Sequence, residues 1–149
     1  MFTILDPRFP HEPGPGRVFW PLAIAGLIFW ASSRSIVASP LHFTHFDKVV
    51  HFSIYGLLAT LTVRAVGGRR AAWLALAVVS LFGASDEWHQ SFVPGRACEV
   101  ADWVADTLGA ALAIALYGRW PRYRARLETR VFGKARIETP PAVASVSSA

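Results

Sequence analysis

The sequence predicts an all-α fold: a polytopic membrane protein built as a small bundle of four transmembrane helices. Three observations point there. The chain has 149 residues, of which 53% are hydrophobic and only 17% charged, against about 25% charged in an ordinary soluble domain. Its mean hydropathy is positive, at +0.36. Its apolar residues fall in four blocks, 18–32, 49–66, 71–84 and 100–117, with nearly all the charge between them. Three of these approach or reach the roughly 20 residues that cross a bilayer as a helix. A water-soluble globule and a disordered chain are excluded. So is a disulfide scaffold, because Cys98 is the single cysteine.

Residues 1–16 read as a flexible tail, since Pro7, Pro10, Pro13 and Pro15 with Gly14 and Gly16 cannot hold a helix. The first span begins near Arg17 and runs through Trp20, Ile24 and Trp30, with Pro21 in its first turn, where a missing amide hydrogen costs little. A cleaved leader ending at Ala31-Ser32-Ser33 is the weaker reading, because a proline- and glycine-rich stretch precedes the apolar run and further spans follow. Pro40 ends any continuation, and residues 41–46 read as an interfacial loop rich in His and Phe. The second span starts at Asp47-Lys48 and ends at Val66, before Gly67-Gly68. The third runs from Ala71 to about Phe92 and is turned by Pro94-Gly95; the fourth runs from about Val100 to Tyr117 and is closed by Gly118 and Pro121. The membrane domain is thus 17–118. Residues 119–149 are a tail, basic and amphipathic over 119–136, then low-complexity Pro/Ala/Ser/Val.

Charge sets the expected orientation. Arg8 and Arg17, then Arg64, Arg69 and Arg70, and seven basic residues beyond 118 place twelve of the fifteen Lys and Arg on one side. Only Arg34, Lys48 and Arg96 fall on the other. Both termini are therefore expected to be cytoplasmic, in a multi-pass inner-membrane protein. The same distribution explains the net charge of +5 without nucleic acid, because the basic residues flank apolar blocks.

The acids sort the other way. Asp47, Asp86, Glu87, Glu99, Asp102 and Asp106, with His42, His45, His51 and His89, all fall toward the extracytoplasmic ends of the spans. Such groups at a membrane edge are costly unless paired or hydrated, so their gathering predicts one shared site. Helical spacing sharpens it. Asp47 and His51 are four apart, with Tyr55 one turn deeper; Gly83, Asp86, Glu87 and Gln90 share a face; Asp102 and Asp106 are again four apart. Ala101, Ala105, Gly109 and Ala113 make a small-residue stripe for close helix approach. The third and fourth helices can then bring their carboxylates near Arg96, in the turn between them.

Plainer readings use the same residues. Asp47 with His51 can be an interfacial helix cap. Asp86, Glu87 and Gln90 can be a polar knot holding helices together, with Arg96 neutralising the acids. Asp106 fits a structural role least, one turn inside the bilayer. Trp88 and Trp103 read as interfacial aromatics. His42, His45, His51 and His89 with Asp86 or Glu87 could ligate zinc. However, His42 and His45 follow Pro40, and His89 points away from the Asp86/Glu87/Gln90 face, so neither a metal nor another cofactor is expected.

The run Asp86-Glu87-Trp88-His89-Gln90-Ser91-Phe92-Val93-Pro94-Gly95-Arg96, then Asp102 and Asp106-Thr107-Leu108-Gly109, closely resembles the signature of VanZ-like membrane proteins. So does Asp47-Lys48-Val49-Val50-His51-Phe52 with Tyr55-Gly56-Leu57-Leu58. The likeness covers roughly residues 18–118, with Asp106 where many members carry Asn. It implies a role at the cell envelope, since the family's named member is an accessory factor in resistance to the glycopeptide teicoplanin.

Two functions follow as expectations. In one, the chain acts on or recognises a membrane lipid or lipid-linked anionic envelope ligand. Asp86 or Glu87 would then be general acid or base, His51 the proton partner and Arg96 the anion clamp, with Asp47, Gln90, Asp102 and Asp106 completing the binding site. In the other it is a non-catalytic accessory or scaffold protein whose polar cluster only holds the helices together. The oligomeric state is left open.

Overall fold

The computed structural model describes residues 15–35, 46–68 and 70–128. Among them the chain forms five helices and no strand: α1 (Pro15–Ser32), α2 (Phe46–Val66), α3 (Ala71–Gln90), α4 (Val100–Arg119) and α5 (Pro121–Glu128). The loop at 41–46, apart from Phe46, lies outside the described residues with Pro40, as do most of the N-terminal tail and the low-complexity C-terminal stretch.

The helix limits follow from local chemistry. α1 begins at Pro15 rather than Arg17, as a fixed φ suits a first helical position. Pro21 therefore falls inside the helix and not in its first turn; the helix runs on past it to Ser32. Gly67 and Gly68, with φ of 59° and 75°, end α2 and reverse the chain into α3. Val93 to Arg96 closes the other reversal: Pro94 is followed by Gly95 at φ 81°, and the Arg96 amide donates to the Val93 carbonyl at 3.0 Å. This turn sits two residues beyond a helix that stops at Gln90, short of the expected Phe92. α5 occupies the first part of the expected basic surface segment.

α2 is the hub. It packs most extensively against α4, then against α3 and α1, while α1 touches α3 only lightly and α5 leans on α4. The core between these helices is Tyr55, Leu58, Ala59 and Val63 of α2, Ala71, Ala75 and Val79 of α3, and Ala110, Ile114 and Tyr117 of α4. Gly109 lets α4 lie directly on α2. A Cβ there would overlap the Phe52 carbonyl, and one at Gly56 would lie 3.2 Å from the Gly109 oxygen. The small-residue stripe thus serves α2 and α4, not α3 and α4.

Two helices, Asp47–Val66 and Val100–Arg119, are long and apolar enough to cross a membrane, and Arg17–Ser32 is a shorter apolar helix. α3 is as long, 20 residues, but ends in Asp86, Glu87, His89 and Gln90. By length and composition, then, two crossing helices stand where the sequence reading expects four. The surface is nonetheless strongly apolar: Phe19, Leu22, Leu27, Leu74, Leu81, Phe92, Leu108 and Leu112 all face outward, while Asp86, Glu87, Gln90, Asp102 and Asp106 are buried. All six tryptophans are exposed. They come in pairs at opposite ends of α1 (Trp20, Trp30), α3 (Trp73, Trp88) and α4 (Trp103, Trp120).

Candidate functional site

The buried acids gather with Ser32 and Gln90 at one end of the bundle, where α1 and α3 finish and α2 and α4 begin. Helix register puts them there. Asp86, Glu87 and Gln90 share the inner face of the last turns of α3, while Asp102 and Asp106 do so on the first turns of α4. His51 and Tyr55 stand one turn apart on α2, their rings nearly parallel at 6.2 Å.

Asp86 is held from three helices. Its Oδ1 lies 2.6 Å from the Ser32 hydroxyl of α1. Its Oδ2 accepts from the Tyr55 hydroxyl at 3.3 Å and from the Gln90 amide at 3.1 Å. The same Gln90 amide lies 3.5 Å from Glu87 Oε1. Glu87 Oε2 accepts the Glu99 backbone N–H at 2.8 Å, so a side chain of α3 caps the entry to α4. Lys48 reaches across from α2 and bridges Glu99 at 2.9 Å and Asp102 at 2.8 Å. Deeper still, His51 Nδ1 lies 3.0 Å from Asp106 Oδ1. Asp106 is fully buried, and its second oxygen has no hydrogen-bond partner among the described residues. Gly83 makes room for it, since a Cβ there would come within 3.0 Å of that oxygen.

All eight residues singled out from the sequence, Asp47, His51, Asp86, Glu87, Gln90, Arg96, Asp102 and Asp106, lie at this end. They do not form one cluster around Arg96. The guanidinium instead donates from Nε to the Arg34 carbonyl and from Nη2 to the Ala31 carbonyl, both at 3.3 Å, and it pairs with no acid among the described residues. The last carbonyls of a helix lack intrahelical donors and carry its negative dipole end, so the close of α1 attracts a cation. The acid-pairing role expected of Arg96 belongs to Lys48. Ser32 and Lys48 are members that sequence reasoning left out of the site; Glu99, one of the gathered acids, is paired to Lys48. Lys48 follows Asp47 at the start of α2, where the sequence alone reads it as a topological charge.

A cavity of about 280 Å³ opens beside this network. Ser32, Asp47, His51, Asp86, Gln90 and Arg96 line its polar end, and Leu27, Ile28, Val50 and Ile54 its apolar wall between α1 and α2. Tyr55 and Ala31 complete the lining. His89 stands apart, as expected: its Nε2 is 3.0 Å from the Ser33 hydroxyl and its ring stacks on Phe29 at 4.5 Å. His42 and His45, two members of the zinc set drawn from four histidines, lie outside the described residues. Two other groups bring potential ligand atoms within 4.8 Å of one another: His51, Glu87 and Asp106, and Asp47, His51 and Asp102.

A family model described as VanZ/LLP1 matches residues 16–121. Over 73 residues, 47% of this chain, the sequence is 38% identical to a Schizosaccharomyces pombe protein named Uncharacterized protein C11E3.10. The match covers 45% of that relative, so the chain spans less than half its length. No solved structure matches this chain.

Proposed function

This chain belongs to the VanZ/LLP1 family, and from that premise we propose that it is a four-span membrane protein that binds an anionic, lipid-linked headgroup at the polar end of the bundle. The tryptophan pairs of α3 and α4 support spans for those two helices. At 1.5 Å rise per residue, Trp73 and Trp88 stand roughly 22 Å apart and Trp103 and Trp120 roughly 25 Å, spacings suited to the two interfaces of a bilayer. α2 carries no tryptophan, as befits the hub helix. With twelve of fifteen basic residues on the opposite side, the polar end faces away from the cytoplasm.

The observation that carries the reading is the cavity. Its apolar wall of Leu27, Ile28, Val50 and Ile54 runs up to Ser32, Gln90 and Arg96, as an acyl or polyprenyl chain runs up to its headgroup. Arg96 has five N–H donors, and the carbonyls of Ala31 and Arg34 occupy two. Three remain for a phosphate or carboxylate. Recognition is favoured over catalysis because the two acids that would act as base are engaged: Asp86 meets three donors and Glu87 accepts the Glu99 amide. The teicoplanin link implied by family likeness is read as a consequence of headgroup binding, tested by the susceptibility of a host lacking the chain.

The direct test is native mass spectrometry of the detergent-purified chain, with chelator present, against a polyprenyl phosphate and the matching neutral alcohol. The phosphate is expected to bind in preference. Arg96→Lys should cost about tenfold in phosphate affinity, because an ammonium cannot reproduce the planar fork, with the melting temperature unchanged. Equal retention of phosphate and alcohol would remove the headgroup from the proposal.

A further inference from the structure

The charges at the polar end do not balance. Lys48 serves Glu99 and Asp102. Arg96 is turned to the carbonyls of α1. Asp86 is satisfied by the hydroxyls of Ser32 and Tyr55 and the amide of Gln90. Glu87 accepts the Glu99 amide through Oε2, while its Oε1 has only the Gln90 amide at 3.5 Å, and this carboxylate and that of Asp106 lie beside one imidazole, His51. His51 Nδ1 lies 3.0 Å from Asp106 Oδ1, and the other Asp106 oxygen is buried with no hydrogen-bond partner among the described residues. A cation between these carboxylates would meet the unpartnered Asp106 oxygen and offset the cost of burying the two acids together.

We propose that His51, Glu87 and Asp106 hold a divalent transition-metal ion. One ligand atom from each lies within 4.8 Å of the other two. Ligands bound at about 2.0–2.2 Å in a tetrahedral set stand roughly 3.5 Å apart, so side-chain rotations closing the trio by about 1 Å complete the set. One imidazole and two carboxylates with no thiolate suit zinc or manganese better than calcium, which takes six to eight oxygens. Gly83 is part of the fit: a side chain there would press on the unpartnered oxygen of Asp106. The alternative trio of Asp47, His51 and Asp102 shares the imidazole, but Asp102 is already paired to Lys48 and Asp47 is exposed. The inference stands independently of the headgroup reading, whose assay runs in chelator, so either can fail alone.

The full chain, purified in detergent and stripped with chelator, is dialysed against Zn²⁺ or Mn²⁺, and bound metal is counted by elemental mass spectrometry. One ion per chain is expected, with a rise in melting temperature on loading. Asp106→Asn and Glu87→Gln should each weaken binding by at least about 100-fold, and Asp102→Asn should leave it in place. Wild-type protein that binds neither metal overturns the proposal, whatever the variants do. So does loss in Asp102→Asn with retention in Asp106→Asn, which would put the ion at the shallower trio.

Discussion

Asp106 can be fully buried between three helices only because residue 83 has no side chain. A methyl group there would lie 3.0 Å from Asp106 Oδ2 and 3.3 Å from the Tyr55 ring, while His51 holds Asp106 from the other side. Gly83→Ala should gain about 1 kcal/mol of helix propensity and lose about 1–3 to crowding, for a modest net loss of stability in thermal unfolding. In an Asp106→Ala background the tightest contact is gone, with the Tyr55 ring still at 3.3 Å, and the same substitution should cost less. A double-mutant cycle without coupling of at least about 1 kcal/mol would show that Gly83 does not set this space. At this scale the sequence is legible wherever a polar residue interrupts an apolar helix: His51, Asp86 and Asp106 stand out by contrast. Lys48 does not, because a lysine at a helix start reads equally as a topological charge, and only the fold brings Glu99 and Asp102 within its reach. Arg96 was legible as a cation in a short turn, but its carbonyl partners on α1 were not, since any backbone offers carbonyls.

Between elements, the decisive contact is α2 on α4. Gly109→Ala sets a Cβ against the Phe52 carbonyl, and backbone cannot step aside as a flexible side chain can, so the helices must part. A loss of about 3 kcal/mol or more is expected, at the upper end of overpacking costs. Gly26 is the internal control: a Cβ there meets nothing within 4 Å, and Gly26→Ala should be neutral or stabilise by up to about 1 kcal/mol. Matching melting temperatures for the two variants would contradict the close approach. Helix limits were readable to within about two residues because proline and glycine punctuate them chemically. The partner of the small-residue stripe was not readable, because small residues announce a close approach without saying to which helix. α3 is ambiguous for a related reason. Its polar last turns, taken alone, lower its apolar character, although in the bundle Asp86, Glu87 and Gln90 face inward and Trp73, Leu74, Val78 and Leu81 face out.

The whole molecule is a bundle with an apolar exterior and a polar interior at one end, and whether α3 crosses the bilayer decides how that end is presented. The Lys and Arg of the sequence give an expected orientation, but the count of spans rests on which face of each helix is turned outward, and that depends on packing. The chain supplies its own reporter. Cys98 is the sole cysteine, is exposed, and lies between α3 and α4. A membrane-impermeant maleimide applied to intact cells or spheroplasts should label it. Two further chains, each with Cys98→Ser, place the thiol at exposed positions elsewhere: Arg126→Cys on α5, and Arg70→Cys just before α3. α4 separates position 98 from 126, and α3 separates it from 70, so in the four-span arrangement both should label only after lysis. Because α2 and α4 both begin at the polar end, α3 must run back between them in any bilayer orientation of this bundle, so labelling of Arg70→Cys in intact cells would overturn the spanning arrangement. The expected pattern is protection of both, because Trp73 and Trp88, 77% and 67% exposed at opposite ends of α3, are each placed where a bilayer interface would meet them.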